Sequence, residues 1–189
     1  IALNEIFELR LTQQQLAEEV RPLGADRPFF IYNTPCYAEG IGDKLTPISL
    51  DLSGLRLMMI KPNCGVSTKE AYAGIVRHPE VEGQIKNALH EGLSFDIMRP
   101  LLINDFEQTV FPIHPEIAEI KQRLLDAGAV YAAMSGSGST VFGLFAGSSK
   151  NSTSFQSAFE NDSERRTNTQ LRLLHEEFAS MIIFDDTLA

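Results

Sequence analysis

Two places in this 189-residue sequence hold residue types at a spacing that could do chemistry. The first is Met134-Ser135-Gly136-Ser137-Gly138-Ser139-Thr140, a run of glycines and small hydroxyl residues after the methionine. Such a loop can bring backbone N–H groups close to an anion, and its hydroxyls add donors. It can equally be a tight turn that lets two backbones pack closely, and a lone GxG does not separate the two uses. The second is Asp26, in Gly24-Ala25-Asp26-Arg27-Pro28-Phe29-Phe30-Ile31. Pro28 fixes the backbone just after the acid. The carboxylate can cap local N–H groups as a turn residue, or be held on a rigid junction and aimed at a substrate hydroxyl.

Other chemistries find less support. HExxH, EF-hand and P-loop patterns are absent and no paired Cys/His spacing occurs, so no metal ligand is expected among the residues. His78 and His114 each precede a proline, and His90 and His175 lie in expected helices among charged residues. None stands beside a nucleophile, which disfavours a Ser-His hydrolase. One acid and one Gly/Ser loop do suit phosphoryl transfer. There, positioning and electrostatics dominate and a single carboxylate accepts or orients the hydroxyl proton. The net charge of −9 argues against a nucleic-acid backbone or an anionic membrane surface as partner, since both reward clustered Lys and Arg. It leaves room for a nucleotide, whose phosphates Mg²⁺ and backbone amides can neutralise. Cys36 and Cys64 make no disulfide framework, and no apolar run reaches membrane-spanning length, so a cytoplasmic protein is expected.

The elements that must position these groups follow from periodicity. Apolar runs at Ala129 to Ala133 and Val141 to Phe145 read as strands on either side of the Gly/Ser loop. A helix from Pro115 to Ala127 precedes them, with Ile117, Ile120 and Leu124 on one face. Asp26 stands between a helix and an apolar strand. Thr12 and Gln15 give that helix a capping box, and Leu16, Val20 and Leu23 give it a stripe. Residues 1–10 read as the end of a helix with Leu3, Ile6 and Phe7 on one face. Tyr37 to Asp43 reads as a strand turning at glycines, Leu55 to Ile60 as a further strand, and Ser67 as an N-cap with Glu70 as its partner. Loops are expected around His78-Pro79 and Gly92. Residues 147–169, rich in Ser, Asn and Thr, read as flexible. Gln170 to Ile182 forms an amphipathic pattern through Leu171, Leu174, Phe178, Met181 and Ile182.

Several segments occur together in an order that resembles a known family. They are LNEIF (3–7), LGADRPFF (23–30), YAEGIGDKLTPI (37–48), KPNCGVSTKEAY (61–72), NDFE (104–107) and AVYAAMSGSGSTVFGLF (129–145). The sequence is similar to the GHMP kinase superfamily, and within it to the branch acting on a cytidine diphosphate-linked methylerythritol. The Gly/Ser loop alone points only to the superfamily, whereas the combination of GAD-P-FF, VST-EAY and NDFE is more specific. The resemblance implies an α+β, two-domain GHMP kinase architecture whose C-terminal part is an antiparallel sheet with packed helices. Residues 1–53 would be the remainder of the N-terminal catalytic domain and 54–147 the C-terminal domain. Residues 148–189 would be a flexible tail with an amphipathic helix.

The implied activity is ATP-dependent phosphorylation of the substrate's 2-hydroxyl, with ATP and Mg²⁺ as cofactors, in the non-mevalonate route to isoprenoid precursors. Asp26 matches the family's catalytic acid, and Ser135, Gly136, Ser137, Gly138, Ser139 and Thr140 match a motif at the phosphate end of its nucleotide site. Tyr72 falls where an aromatic stacks on the cytosine ring; as a helix aromatic it could also face the core. Asn104 and Asp105 are read as structural. The family's N-terminal lysine and its GLGGGSS-type loop have no counterpart here, and residues 147–189 do not resemble its ending. The chain is thus expected to be a truncated piece, by itself inactive or nearly so. Arg27 replaces the usual small apolar residue, where it could favour the charged form of Asp26. Another GHMP kinase, of homoserine or mevalonate type, and a non-catalytic small-molecule-binding module are the alternatives.

Overall fold

The computed structural model describes residues 1–76, 79–91, 94–146 and 157–188. The chain divides into two compact units, Ile1–Asp51 with Leu89–Ser94, and Leu52–Ala88 with Phe95–Ala189. The loops expected around His78 and Gly92 lie outside the described residues.

The first unit holds helices α1 (Ala2–Ile6), α2 (Gln13–Val20) and α3 (Arg27–Tyr32), and a hairpin of β1 (Cys36–Glu39) and β2 (Lys44–Pro47). The capping box forms as the sequence demands: Thr12 Oγ1 accepts the Gln15 N–H, and Gln15 Oε1 accepts the Thr12 N–H at 2.9 Å. Helix α1 is shorter than the pattern over residues 1–10 suggests. It stops where Glu8 and Arg10 take φ of 51° and 56°, and Leu3, Ile6 and Phe7 remain exposed.

The apolar strand expected after Asp26 is instead helix α3. Pro28 falls in its first turn, where its missing N–H costs no hydrogen bond and its fixed φ suits a helix. Pro28 and Ile31, three apart, are buried, whereas Phe29 and Phe30 stay exposed. A run of apolar residues therefore concealed a helical period. Asn33 then closes the helix in the left-handed region.

The second unit is built on a four-stranded antiparallel sheet of β3 (Arg56–Ile60), β4 (Tyr131–Met134), β5 (Val141–Phe145) and β6 (Ile182–Thr187), in the order β4-β5-β3-β6. Its helices are α4 (Thr68–Ala73), most of α5 (Pro79–His90), α6 (Phe95–Met98), α7 (Glu107–Val110), α8 (Pro115–Asp126) and α9 (Ser157–Phe178). The face read from the sequence of α8 is the face it buries: Ile117, Ile120 and Leu124 pack with Met58, Ile60, Val141 and Phe145. Gly143 lets that helix approach β5, since a Cβ there would stand 3.1 Å from Leu124 Cδ2.

Residues 157–188 belong to this unit rather than to a separate tail. Helix α9 buries Leu171 and Leu174 in the core but ends at Phe178, so Ile182 leaves the expected helix and pairs as β6 with Ile60. Composition concealed this, because the strand's pairing partner lies more than a hundred residues away. Strand β6 is fastened by Asp185, whose carboxylate takes two hydrogen bonds of 2.6 Å from Arg56 and one from His175. Burial alone would raise the Asp185 pKa, but the bonds from Arg56 and His175 outweigh it and hold the carboxyl below its ordinary range. A depressed folded-state pKa adds stability above the unfolded value of about 3.9 and loses it as pH falls through the folded one. Asp185→Asn is therefore expected to cost about 2 kcal/mol at pH 7. Urea unfolding at pH 7 and in acid should show the gap from the parent chain narrowing below about pH 4. An equal gap at both pH values would refute the ionic origin.

Candidate functional site

The Gly/Ser loop is the turn of the β4–β5 hairpin. Its base is closed by Ser135 N–H donating to Thr140 O at 2.8 Å, and its tip by Gly138 N–H donating to Ser135 O at 3.0 Å. The six residues then divide by role. Gly138 is at φ +93°, and a Cβ there would meet Met134 Sδ at 2.8 Å and Val66 Cγ2 at 3.2 Å. Ser139 is buried, and its hydroxyl donates to Cys64 O at 2.8 Å. These two are held by packing. Ser135 and Gly136 are exposed, and a Cβ on Gly136 would meet nothing within 4 Å. The Gly136 and Ser137 N–H groups have no acceptor among the described residues. Unpartnered N–H groups in an open small-residue turn are what an anionic phosphate group fits.

A second segment braces the loop from behind. Asn104 Nδ2 donates to Met134 O at 2.6 Å and Gly136 O at 2.9 Å, while its Oδ1 accepts the Phe106 N–H. Glu107 Oε1 accepts the Met134 N–H at 2.8 Å, and its other oxygen takes the Lys121 ammonium. Burial, with the nearby Glu107 charge, pushes the Tyr131 hydroxyl up to about 12, so it remains a donor, to Leu102 O. The NDFE motif was legible in the sequence. Its contact with a loop thirty residues away was not.

Helix α4 also meets the loop, through Thr68 Oγ1 and Ser137 Oγ at 3.5 Å. Ser67 caps α4 by accepting the Glu70 N–H. One turn on, Tyr72 does not face the core. It is 64% exposed, its ring packed edge-on against Phe106 with centroids 4.8 Å apart. A T-shaped contact covers at most one face of the ring, so an aromatic this exposed keeps a face free for stacking.

Asp26 lies in the first unit at the N-cap of α3, exposed and making no side-chain cap bond. Its capping role is therefore not realised. Arg27 does not pair with it; the guanidinium Nε donates to Leu23 O at 3.0 Å.

Residues 84–161 match the family described as GHMP kinases C terminal. A Bacteroides thetaiotaomicron protein named 4-diphosphocytidyl-2-C-methyl-D-erythritol kinase is 50% identical over 146 residues, 76% of this chain and 51% of its own length. A Cytophaga hutchinsonii protein of the same name is 43% identical over 144 residues, 76% of this chain and 52% of its own length. The chain spans about half the length of the curated relatives it matches. A crystal structure of 4-(cytidine 5'-diphospho)-2C-methyl-D-erythritol kinase superposes with a TM-score of 0.59 at 28% identity, covering 91% of this chain and 57% of that one. Homoserine kinase from Cytophaga hutchinsonii shares the fold at 15% identity and a TM-score of 0.54, covering 98% of this chain and 60% of its own.

Proposed function

With a GHMP kinase C-terminal domain over residues 84–161 as the premise, we propose that the protein carrying this chain is an ATP-dependent kinase. Its substrate on this reading is 4-diphosphocytidyl-2-C-methyl-D-erythritol, phosphorylated on the 2-hydroxyl. The observation that carries the choice of substrate is the 50% identity to a relative of that name, against 15% to a homoserine kinase of the same fold.

The chain's own residues take the following parts in this reading. Asp26 accepts the proton of the attacking hydroxyl as its oxygen bonds to the γ-phosphorus and the bond to the departing diphosphate breaks. An exposed carboxylate that makes no cap bond and has no partner among the described residues is free to do so. Ser135, Gly136 and Ser137 offer backbone and hydroxyl donors to the nucleotide phosphates, while Gly138, Ser139 and Thr140 keep the turn in shape. Tyr72 stacks on the cytosine ring. Mg²⁺ bound with the nucleotide would neutralise charge on its phosphates.

The test is phosphotransfer by the full-length protein with ATP and three alcohols: the diphosphocytidyl methylerythritol, homoserine and mevalonate. Turnover of the first alone is expected. Preference for either of the others would replace the substrate, and MgATP binding without turnover of any alcohol would favour a binding module.

A further inference from the structure

We propose that Cys64, His114 and Glu116 form a binding site for a soft divalent cation of the zinc type. The three come from two parts of the second unit. Cys64 lies in the turn after β3, His114 is the N-cap of α8, and Glu116 is in the first turn of that helix. Their ligating atoms all lie within 4.8 Å of one another. His114 Nδ1 and Glu116 Oε1 are 3.3 Å apart. A tetrahedral zinc ion with bonds of about 2.0–2.3 Å needs its ligand atoms about 3.3–3.6 Å apart. One pair already has that separation, and rotation of half-exposed side chains supplies the rest.

The ligand types choose the ion. A thiolate and an imidazole favour zinc over magnesium or calcium, which prefer oxygen alone. One thiolate and one carboxylate balance a 2+ charge beside a neutral imidazole. Binding breaks the S–H bond, forms a sulfur–metal bond and releases the proton to solvent. Access is provided by a hollow of ≈ 330 Å³, lined by Cys64 and Glu116 together with Pro62, Glu119, Glu177 and Met181. Glu177 is paired with Arg123, whereas Glu119 adds negative potential along the approach. Three protein ligands leave a fourth position for water on that side.

The effect of such an ion on the fold is local. The carbonyl of Cys64 is the acceptor that holds Ser139 in the Gly/Ser loop. An ion on the thiol would clip the turn after β3 to the start of α8 and stiffen the base of that loop.

Cobalt(II) is the probe, added to the reduced chain without nucleotide. One equivalent is expected to give a thiolate-to-cobalt charge-transfer band with four-coordinate d–d bands, displaced by zinc. Cys64→Ser abolishes the charge-transfer band, and Cys36→Ser, at the other cysteine, keeps it. Losing an outer partner of a metal ligand costs about 10–100-fold in affinity, so His114→Ala is expected to weaken cobalt binding by at least that factor. Zinc protection of Cys64 from alkylation in the unmutated chain gives a reading that needs no variant to fold. Absence of both the band and the protection overturns the site, and so does a band that survives Cys64→Ser.

Discussion

Replacing Asp26 by Asn in the full-length protein is expected to lower kcat by about 10²–10⁴-fold, the usual contribution of a positioned general base. The amide keeps the size of the side chain and removes only its capacity to take a proton. Because the carboxylate makes no cap bond to α3, the fold has no stake in it. The substitution should leave stability within about 0.5 kcal/mol, as for other exposed positions without a special role. The two readouts together separate a base from a structural acid. A variant with near-parental kcat sinks the assignment. A variant that loses turnover and unfolds in step shows that Asp26 serves the fold instead.

Truncating Glu107 carries the largest expected effect on stability. Its carboxylate is 12% exposed and serves two partners, the Lys121 ammonium and the Met134 N–H at the end of β4. Glu107→Ala strands a half-buried cation and an inward-facing N–H, and each loss is costlier than the net worth of the bond removed. A destabilisation of about 3 kcal/mol is expected from urea unfolding. Adding Lys121→Met should recover part of it, because the unpaired charge then goes too. Equal losses in the single and double variants would refute the coupling. Met134 precedes the Gly/Ser loop, so on the proposed kinase reading Glu107→Ala in the full-length protein should also raise KM for ATP more than it lowers kcat. A change confined to kcat would show that the brace does not act through the loop.

Periodic elements were legible because their signal is local. The capping box at Thr12 and Gln15 and the buried face of α8 need only neighbours three or four residues away. Strands β3, β4 and β5 are short apolar runs bounded by turn residues, and the Gly/Ser turn between two of them is written in its composition. Helix α3 was misread as a strand because four consecutive apolar residues carry no period, and only the burial of Pro28 and Ile31 shows which face turns inward. The order of residue types thus determined the hairpin around Ser135 to Thr140 and the isolated acid at Asp26.

Tertiary structure decided what those groups are worth. It divided the loop into a packed half, with Ser139 bound to Cys64, and an open half at Ser135 to Ser137. It turned Tyr72 outward in a T-shaped contact with Phe106 and made residues 182–187 a strand of the main sheet. It also set Cys64 beside His114 and Glu116, fifty residues along the chain, although no ligand spacing suggests a metal. The physical reason is common to all four. A turn, a cap or a stripe is stabilised by nearby residues and leaves a local pattern. A hydrogen-bond partner, a strand neighbour or a ligand set is fixed by packing between distant segments, and nothing in either segment alone records it.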